Sequence, residues 1–232
     1  QPIARLADGR PVGAEALLRW PRPGGETWSP ADFIPEAERR GLMEPITAWT
    51  LRAVCLRLKA LGAAAPADFR IGFNLSATML GAGAAEMAAA VLKGTGAPAD
   101  RLTFEITETA RFIDDPAALA DVKALAALGC GVAIDDFGAG HASLAYVVKL
   151  PANRIKLDAG LTAAVLDDAR ARAAIVATAR LARDVGADVV AEGITSVDVA
   201  AALIALGVEL GQGRLYGAPA ADLLLDSAGA RA

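Results

Sequence analysis

From residue 66 onward, short and mainly apolar runs alternate with longer runs whose apolar residues recur every three or four positions. The short runs, at 69–75, 101–106, 131–135, 154–157, 188–191 and 208–210, predict buried strands. The longer ones predict helices at 84–93, 116–128, near Leu144, at 169–185 and at 197–206. Strands alternating with amphipathic helices imply βαβ units and a parallel sheet. The first part of the chain differs. Residues 2–6, the turn Asp8-Gly9-Arg10 and residues 12–20 read as a β-hairpin, so the first two strands are expected to be antiparallel. A Pro/Gly-rich loop at 21–25 leads to Ser29-Pro30, an N-cap followed by proline at the first helical position, and a helix to Gly41; a longer one follows at 46–61. With the hairpin there are about eight strands, which favours closure into a (β/α)8 barrel over an open doubly wound sheet. No Gly-x-Gly-x-x-Gly follows the first parallel strand, against a dinucleotide cofactor.

Composition narrows the setting. A chain of 232 residues buries a sizeable core, and residues 1–232 read as one domain without a stretch of about 20 apolar residues that would span a membrane. A net charge of -4 gives no electrostatic footprint for a polymeric nucleic acid, so a phosphate ligand would need local arginine, lysine or metal. Cys55 and Cys130 sit in apolar contexts and read as reduced, buried residues of a cytoplasmic protein. The chain begins at Gln1 without a signal peptide, and the expectation is a segment of something longer. The small, polar tail after Asp226 reads as linker.

In a barrel, functional groups gather at the C-terminal strand ends. The second strand offers Glu15, Leu17 and Arg19 on one face, and the next offers Asn74 and Ser76. Then come Glu105 with Glu108 beyond it, the adjacent pair Asp135 and Asp136, Lys156 with Asp158, Glu192, and Gln212 in a glycine-rich turn. The Asp135-Asp136-Phe137-Gly138 stretch reads equally as a metal site or as a capped turn when taken alone. Oxygen ligands from Glu15, Asn74, Glu105, Asp135, Asp136 and Glu192 suit Mg²⁺ or Mn²⁺. Two like charges 4 Å apart cost about 4 kcal/mol at an effective dielectric near 20, so convergent carboxylates require cations or protons. Two divalent ions would leave room for a phosphate and suit in-line displacement at phosphorus. The blander readings are an ion pair between Glu15 and Arg19, a solvated loop for His141, an end-of-strand role for Lys156, and helix capping by Asp114-Asp115-Pro116. Residues 36–40 and 167–172 read as solvated helix faces, and Trp20, Trp28 and Trp49 as packing.

Taken together the motifs resemble one family. Glu15-Ala16-Leu17-Leu18-Arg19-Trp20 is similar to the signature of the EAL-domain cyclic di-GMP phosphodiesterases. So are Phe73-Asn74-Leu75-Ser76, Glu105-Ile106-Thr107-Glu108, Asp135-Asp136-Phe137-Gly138, Lys156-Leu157-Asp158 and Ala191-Glu192-Gly193, in the family's order across essentially the whole chain. The resemblance implies a TIM-like barrel with an antiparallel first strand, and hydrolysis of cyclic di-GMP to linear pGpG with Mg²⁺ or Mn²⁺, inhibited by Ca²⁺. It implies that Glu15, Asn74, Glu105 and Asp135 hold one metal and Asp135, Asp136 and Glu192 a second. Lys156 would orient or exchange a proton with the attacking water, and Asp158 would support the network. Leu17 and Arg19 would meet the substrate, Arg19 at a phosphate, with Gln212 at the nucleotide. Glu108 would steady the Asp-Asp-Phe-Gly loop, which in the family couples metal binding to homodimerisation, and an upstream signalling or GGDEF-type domain is expected. Two departures stand out: His141 in Gly140-His141-Ala142-Ser143 replaces a tyrosine, and Thr195 replaces a second glutamate after Glu192. Losing that carboxylate would slow turnover, and Thr195 or Ser196 would cap the next helix instead. Arg214 stands where the family tends to have an aromatic residue. The alternative reading is therefore a receptor module that binds cyclic di-GMP, barely hydrolyses it, and acts through a partner.

Overall fold

A computed structural model describes residues 1–107, 112–139 and 144–221. The chain opens with the hairpin, β1 (Pro2–Arg5) and β2 (Pro11–Ala16). Its turn is too short for a crossover, which forces antiparallel pairing. Gly9 takes φ 70° there, and the Asp8 carboxylate accepts the Arg10 backbone N–H at 3.0 Å. β2 stops at Ala16 and does not reach Trp20. Trp20–Pro21 (β3) instead pairs with Thr27–Trp28 (β4) in a separate two-stranded ribbon. Trp20 meets Trp28 and Phe33 edge to face there, and that contact redirects the chain away from the barrel wall.

Two helices follow, α1 (Pro30–Arg39) and α2 (Met43–Leu61). Ser29 and Asp32 form a capping box at the start of α1. α2 begins at Met43, ahead of the expected residue 46, because Pro45 falls in the first turn, where its missing N–H has no intrahelical acceptor to lose. The alternating part comprises β5 (Arg70–Asn74), α3 (Ala84–Thr95), β6 (Leu102–Thr107), α4 (Pro116–Ala127), β7 (Gly131–Phe137) and α5 (Leu144–Lys149). It ends with β8 (Arg154–Leu157), the short α6 (Ala159–Ala163), α7 (Ala169–Val185), β9 (Asp188–Ala191), α8 (Val197–Ala205) and β10 (Leu210–Gln212). Asp115 caps α4 and Ser196 caps α8 through side-chain acceptors, as their positions before each helix suggest.

The strands close into a barrel in the order β1-β10-β9-β8-β7-β6-β5-β2. β1 runs antiparallel to both its neighbours, and every other pair in the barrel is parallel. This is the expected (β/α)8 architecture with one reversed strand. Closure depends on β10 lying at 210–212, later than the 208–210 read from hydrophobicity, because Val208 is spent on the outer core while Leu210 and Gln212 pair with β1. Cys55 and Cys130 are buried free thiols in that outer core. Among the described residues no helix is long and apolar enough to cross a membrane.

Candidate active site

Alternation along each strand sends every second side chain into the barrel. Paired residues share a face, so the register lays Glu15 beside Gly72, and Glu105 between Asn74 and Ala133. Lys156 lies beside Val190 on the same principle. Gly72 and Ala133 make room for the charged groups: a Cβ at Gly72 would collide with Glu105 Oε1. The interior therefore admits long polar side chains where β5 and β7 carry almost none.

Lys156 is the hub. It is fully buried, and its ammonium lies 2.7 Å from Glu105 and Glu192, 3.0 Å from Asp135 and 3.5 Å from Glu15. Burial opposes its charge, but the four carboxylates overcome that and hold its pKa well above the ordinary lysine value. Glu15 is clamped as well: Asn74 Nδ2 donates to Oε1 and Gln212 Nε2 to Oε2, each at 2.6 Å. Burial would raise Glu15, yet Lys156 and these two amides bring its pKa below the usual carboxylate range. The others are less compensated. Burial pushes Glu105 up to about 8 against the pull of Lys156, with Glu15 and Asp135 adding repulsion. Burial likewise moves Glu192 to about 7, and Asp136 is raised by burial and then by Asp135. One ammonium does not neutralise five carboxylates, so the metal-free centre retains protons.

Asp135 and Asp136 are consecutive, and in regular strand they would face opposite ways. Asp136 instead takes φ 55°, the one non-glycine residue with positive φ among those described, and the β7–β8 register shifts between Ile134 and Phe137. This bulge brings both carboxylates to one side. One oxygen each from Asp135, Asp136 and Glu192 lies within 4.8 Å of the others. Such strain at a carboxylate pair is the kind that persists where a ligand uses it. Glu105 Oε1 is buried without a hydrogen-bond partner. A hard-oxygen donor set with an unpartnered buried carboxylate oxygen fits a divalent cation.

On the Glu15 side of this centre opens a cleft of about 1280 Å³, lined by Glu15, Leu17, Arg19, Glu38, Asn74 and Glu105 among others. Arg19 is exposed and donates to Leu18 O, so it is not the ion-pair partner of Glu15. Gln212 is only 5% exposed and turns inward onto Glu15. Asp158 caps α6, accepting the Gly160 and Leu161 N–H groups, while its charge adds to the repulsion on Asp136. Thr195 is exposed, and so is Arg214. Trp49, read as packing, is 67% exposed and lines the cleft, because α2 turns it toward the mouth of the barrel. Glu108 and His141, with the rest of 108–111 and 140–143, lie outside the described residues. Sequence reasoning missed Glu38 and Gly72; the first was read as part of a solvated helix face, and the second shows its purpose only beside Glu105.

Known proteins share this fold. The EAL domain family model matches residues 1–219. A Mycobacterium tuberculosis protein, Rv1357c, is 40% identical over 220 residues, spanning 92% of this chain and 71% of its own. The cyclic di-GMP phosphodiesterase PA2567 of Pseudomonas aeruginosa is 38% identical over 221 residues, 94% of this chain and 37% of that protein. The solved structure of the PaMucR phosphodiesterase in complex with c-di-GMP superposes with a TM-score of 0.86 at 34% identity, covering 94% of this chain and 89% of that one. With a matched family model over nearly its whole length and the barrel that goes with it, the chain belongs to the EAL domain family.

Proposed function

We propose that this domain hydrolyses cyclic di-GMP to linear pGpG: water attacks one phosphorus in line, the P–O3′ bond breaks, and the phosphate stays on the 5′ oxygen. The observation that carries this reading is the set of carboxylates gathered around Lys156 at the barrel mouth, two of which, Glu15 and Glu105, line a cleft of nucleotide size. Glu15, Asn74, Glu105 and Asp135 would hold one Mg²⁺ or Mn²⁺, and Asp135, Asp136 and Glu192 a second. Bound there, the cations supply positive charge to the phosphate oxygens and acidify water, and Ca²⁺ inhibits by taking their place. Lys156 keeps Glu15, Glu105, Asp135 and Glu192 in one cluster and holds a proton at Nζ beside the attacking water. Asn74 and Gln212 fix the orientation of Glu15, Asp158 sets the start of α6 beside Asp136, Leu17 and Arg19 meet the substrate, and Glu108 steadies the loop after Phe137.

The wider setting belongs to the same proposal. The barrel is a single unit of a longer cytoplasmic signalling protein with a GGDEF-type domain, and it acts as a homodimer. Supporting this, a bifunctional diguanylate cyclase/cyclic di-GMP phosphodiesterase, MucR of Pseudomonas aeruginosa, matches over only 32% of its length. A receptor reading draws on Thr195, which leaves the metal side of the site without a further carboxylate after Glu192. Tight binding of cyclic di-GMP with no pGpG after long incubation in Mn²⁺ would favour it. For the enzyme, Glu15→Ala is expected to abolish metal-dependent pGpG formation; unchanged hydrolysis would refute the mechanism.

A further inference from the structure

Outside the cluster on Lys156, the described part of the cleft carries one more acidic side chain. Pro30, Ile34 and Glu38 are spaced four apart on α1 and all line the cleft, so one face of the helix borders it. Ile46 and Trp49 of α2 contribute apolar wall to the same space. Glu38 is held in place there. Ser76 Oγ donates to Glu38 Oε1 at 2.6 Å, and the same hydroxyl lies 2.8 Å from Thr78 Oγ1 and accepts the Thr78 N–H at 3.2 Å. Ser76 is two residues beyond Asn74, which grips Glu15, so the anchor of Glu38 and the metal side of the site rise from one strand end.

A carboxylate facing a substrate with two phosphates is repelled unless it meets donors. Guanine offers two adjacent donors, N1–H and N2–H, on its Watson–Crick edge, and a carboxylate accepts both at once. Adenine offers an acceptor at N1 beside its amino group and does not match. Apolar walls suit the face of such a base while the polar tip reads its edge. We propose that Glu38 is the base-selecting residue of the cleft, accepting N1–H and N2–H from one guanine of cyclic di-GMP. This rests on the phosphodiesterase reading given above and names the group that makes it specific for guanine. Anchoring by Ser76 pre-orders the carboxylate and lowers the cost of fixing it on binding.

The test compares cyclic di-GMP with cyclic di-AMP on the whole domain in Mn²⁺. Glu38→Gln keeps an oxygen for Ser76 but sets an amide N–H₂ against the guanine donors, a pattern that suits adenine. KM for cyclic di-GMP is expected to rise at least about tenfold with kcat changed less than about threefold, and the preference over cyclic di-AMP to fall about 100-fold. The melting temperature and its increase with Mn²⁺ stay at wild-type values. Ser76→Ala, which frees the carboxylate without removing it, gives a smaller change in the same direction. Unchanged KM and preference in Glu38→Gln would overturn the proposal, as would a fall in melting temperature and kcat with preference intact, which marks a purely structural role. If the wild-type domain neither binds nor hydrolyses cyclic di-GMP, both readings fall; if it does both and Glu38→Gln behaves identically, this one falls alone.

Discussion

The mouth and the floor of the barrel are built from the same strands, and two residues along each strand separate them. Along β9 and one residue past its end the position changes from Val190 to Glu192, and on β10 from Leu210 to Gln212. On β6 it changes from Thr103 to Glu105, and on β7 from Ala133 to Asp135. Below, Ile3, Val12, Val190 and Leu210 form an apolar cluster of their own. The floor's buried cation, Arg154, is 3.5 Å from Asp188, a carboxylate that is largely solvated. That single pair leaves Arg154 Nε buried without a hydrogen-bond partner, but it sets one cation against one carboxylate. At the mouth one buried ammonium faces five carboxylates, and the imbalance is left for a ligand to resolve. The difference separates two layers: apolar closure stabilises the barrel from below, and the excess of carboxylates over cations among the described residues gathers at the open end.

The comparison breaks most visibly at Lys156. Lys156→Ala leaves the carboxylates without their ammonium, and the metal-free domain should lose about 3 to 5 kcal/mol, with hydrolysis falling at least about 100-fold. Denaturant titration in EDTA and in Mn²⁺ checks it, with part of the loss recovered in metal; equal stability of variant and wild type in EDTA would mean that Lys156 is not the hub. The floor should respond the other way. Val190→Ala is expected to cost about 1 to 3 kcal/mol while kcat stays within about threefold, read from the same titration and from steady-state kinetics. A loss of kcat without a loss of stability would mean that the two layers are not separable.

The smallest effect is the response to pH. Glu105 and Glu192 titrate at about 8 and about 7 in the folded chain, above the unfolded value of 4.5. Their protonated forms therefore favour the folded state fully below about pH 4.5, and that contribution is lost as pH rises through 7 and 8. Glu15 is shifted down, so its contribution is lost only in acid, and Lys156 is shifted up, so its contribution survives beyond pH 10.5. Metal-free protein should melt at progressively lower temperature between pH 5 and pH 8.5. Saturating Mn²⁺ should flatten that slope, because the cations displace the same protons. Calorimetry across this range in EDTA that showed rising stability would contradict the charge assignment.

Much of this was legible in the chain itself, for physical reasons that also mark the limits. β8, α7 and β9 fall where hydrophobic period alone puts them, because each is a local pattern. The acidic residues at strand ends were legible too, since parallel βα units force those ends to one side. What could not be read locally depends on closure. Gln212 reaches Glu15 across 197 residues of sequence, and only the pairing of β10 and β2 with β1 brings the two together. Hydrophobicity carried β2 on to Trp20, whereas aromatic contacts with Trp28 and Phe33 claim that residue for the ribbon. β7 was read as ending at Asp135, and its continuation through the bulge at Asp136 is what allows two neighbouring carboxylates to converge.

The central claim is that the charge imbalance at the mouth is a metal site for phosphodiester hydrolysis. The most direct measurement strips the domain with EDTA, incubates it with cyclic di-GMP alone or with Mg²⁺, Mn²⁺ or Ca²⁺, and resolves the products by chromatography. The expected result is pGpG in Mg²⁺ or Mn²⁺ and none in EDTA or Ca²⁺. Product at the same rate in EDTA, or no product with any cation, would contradict it.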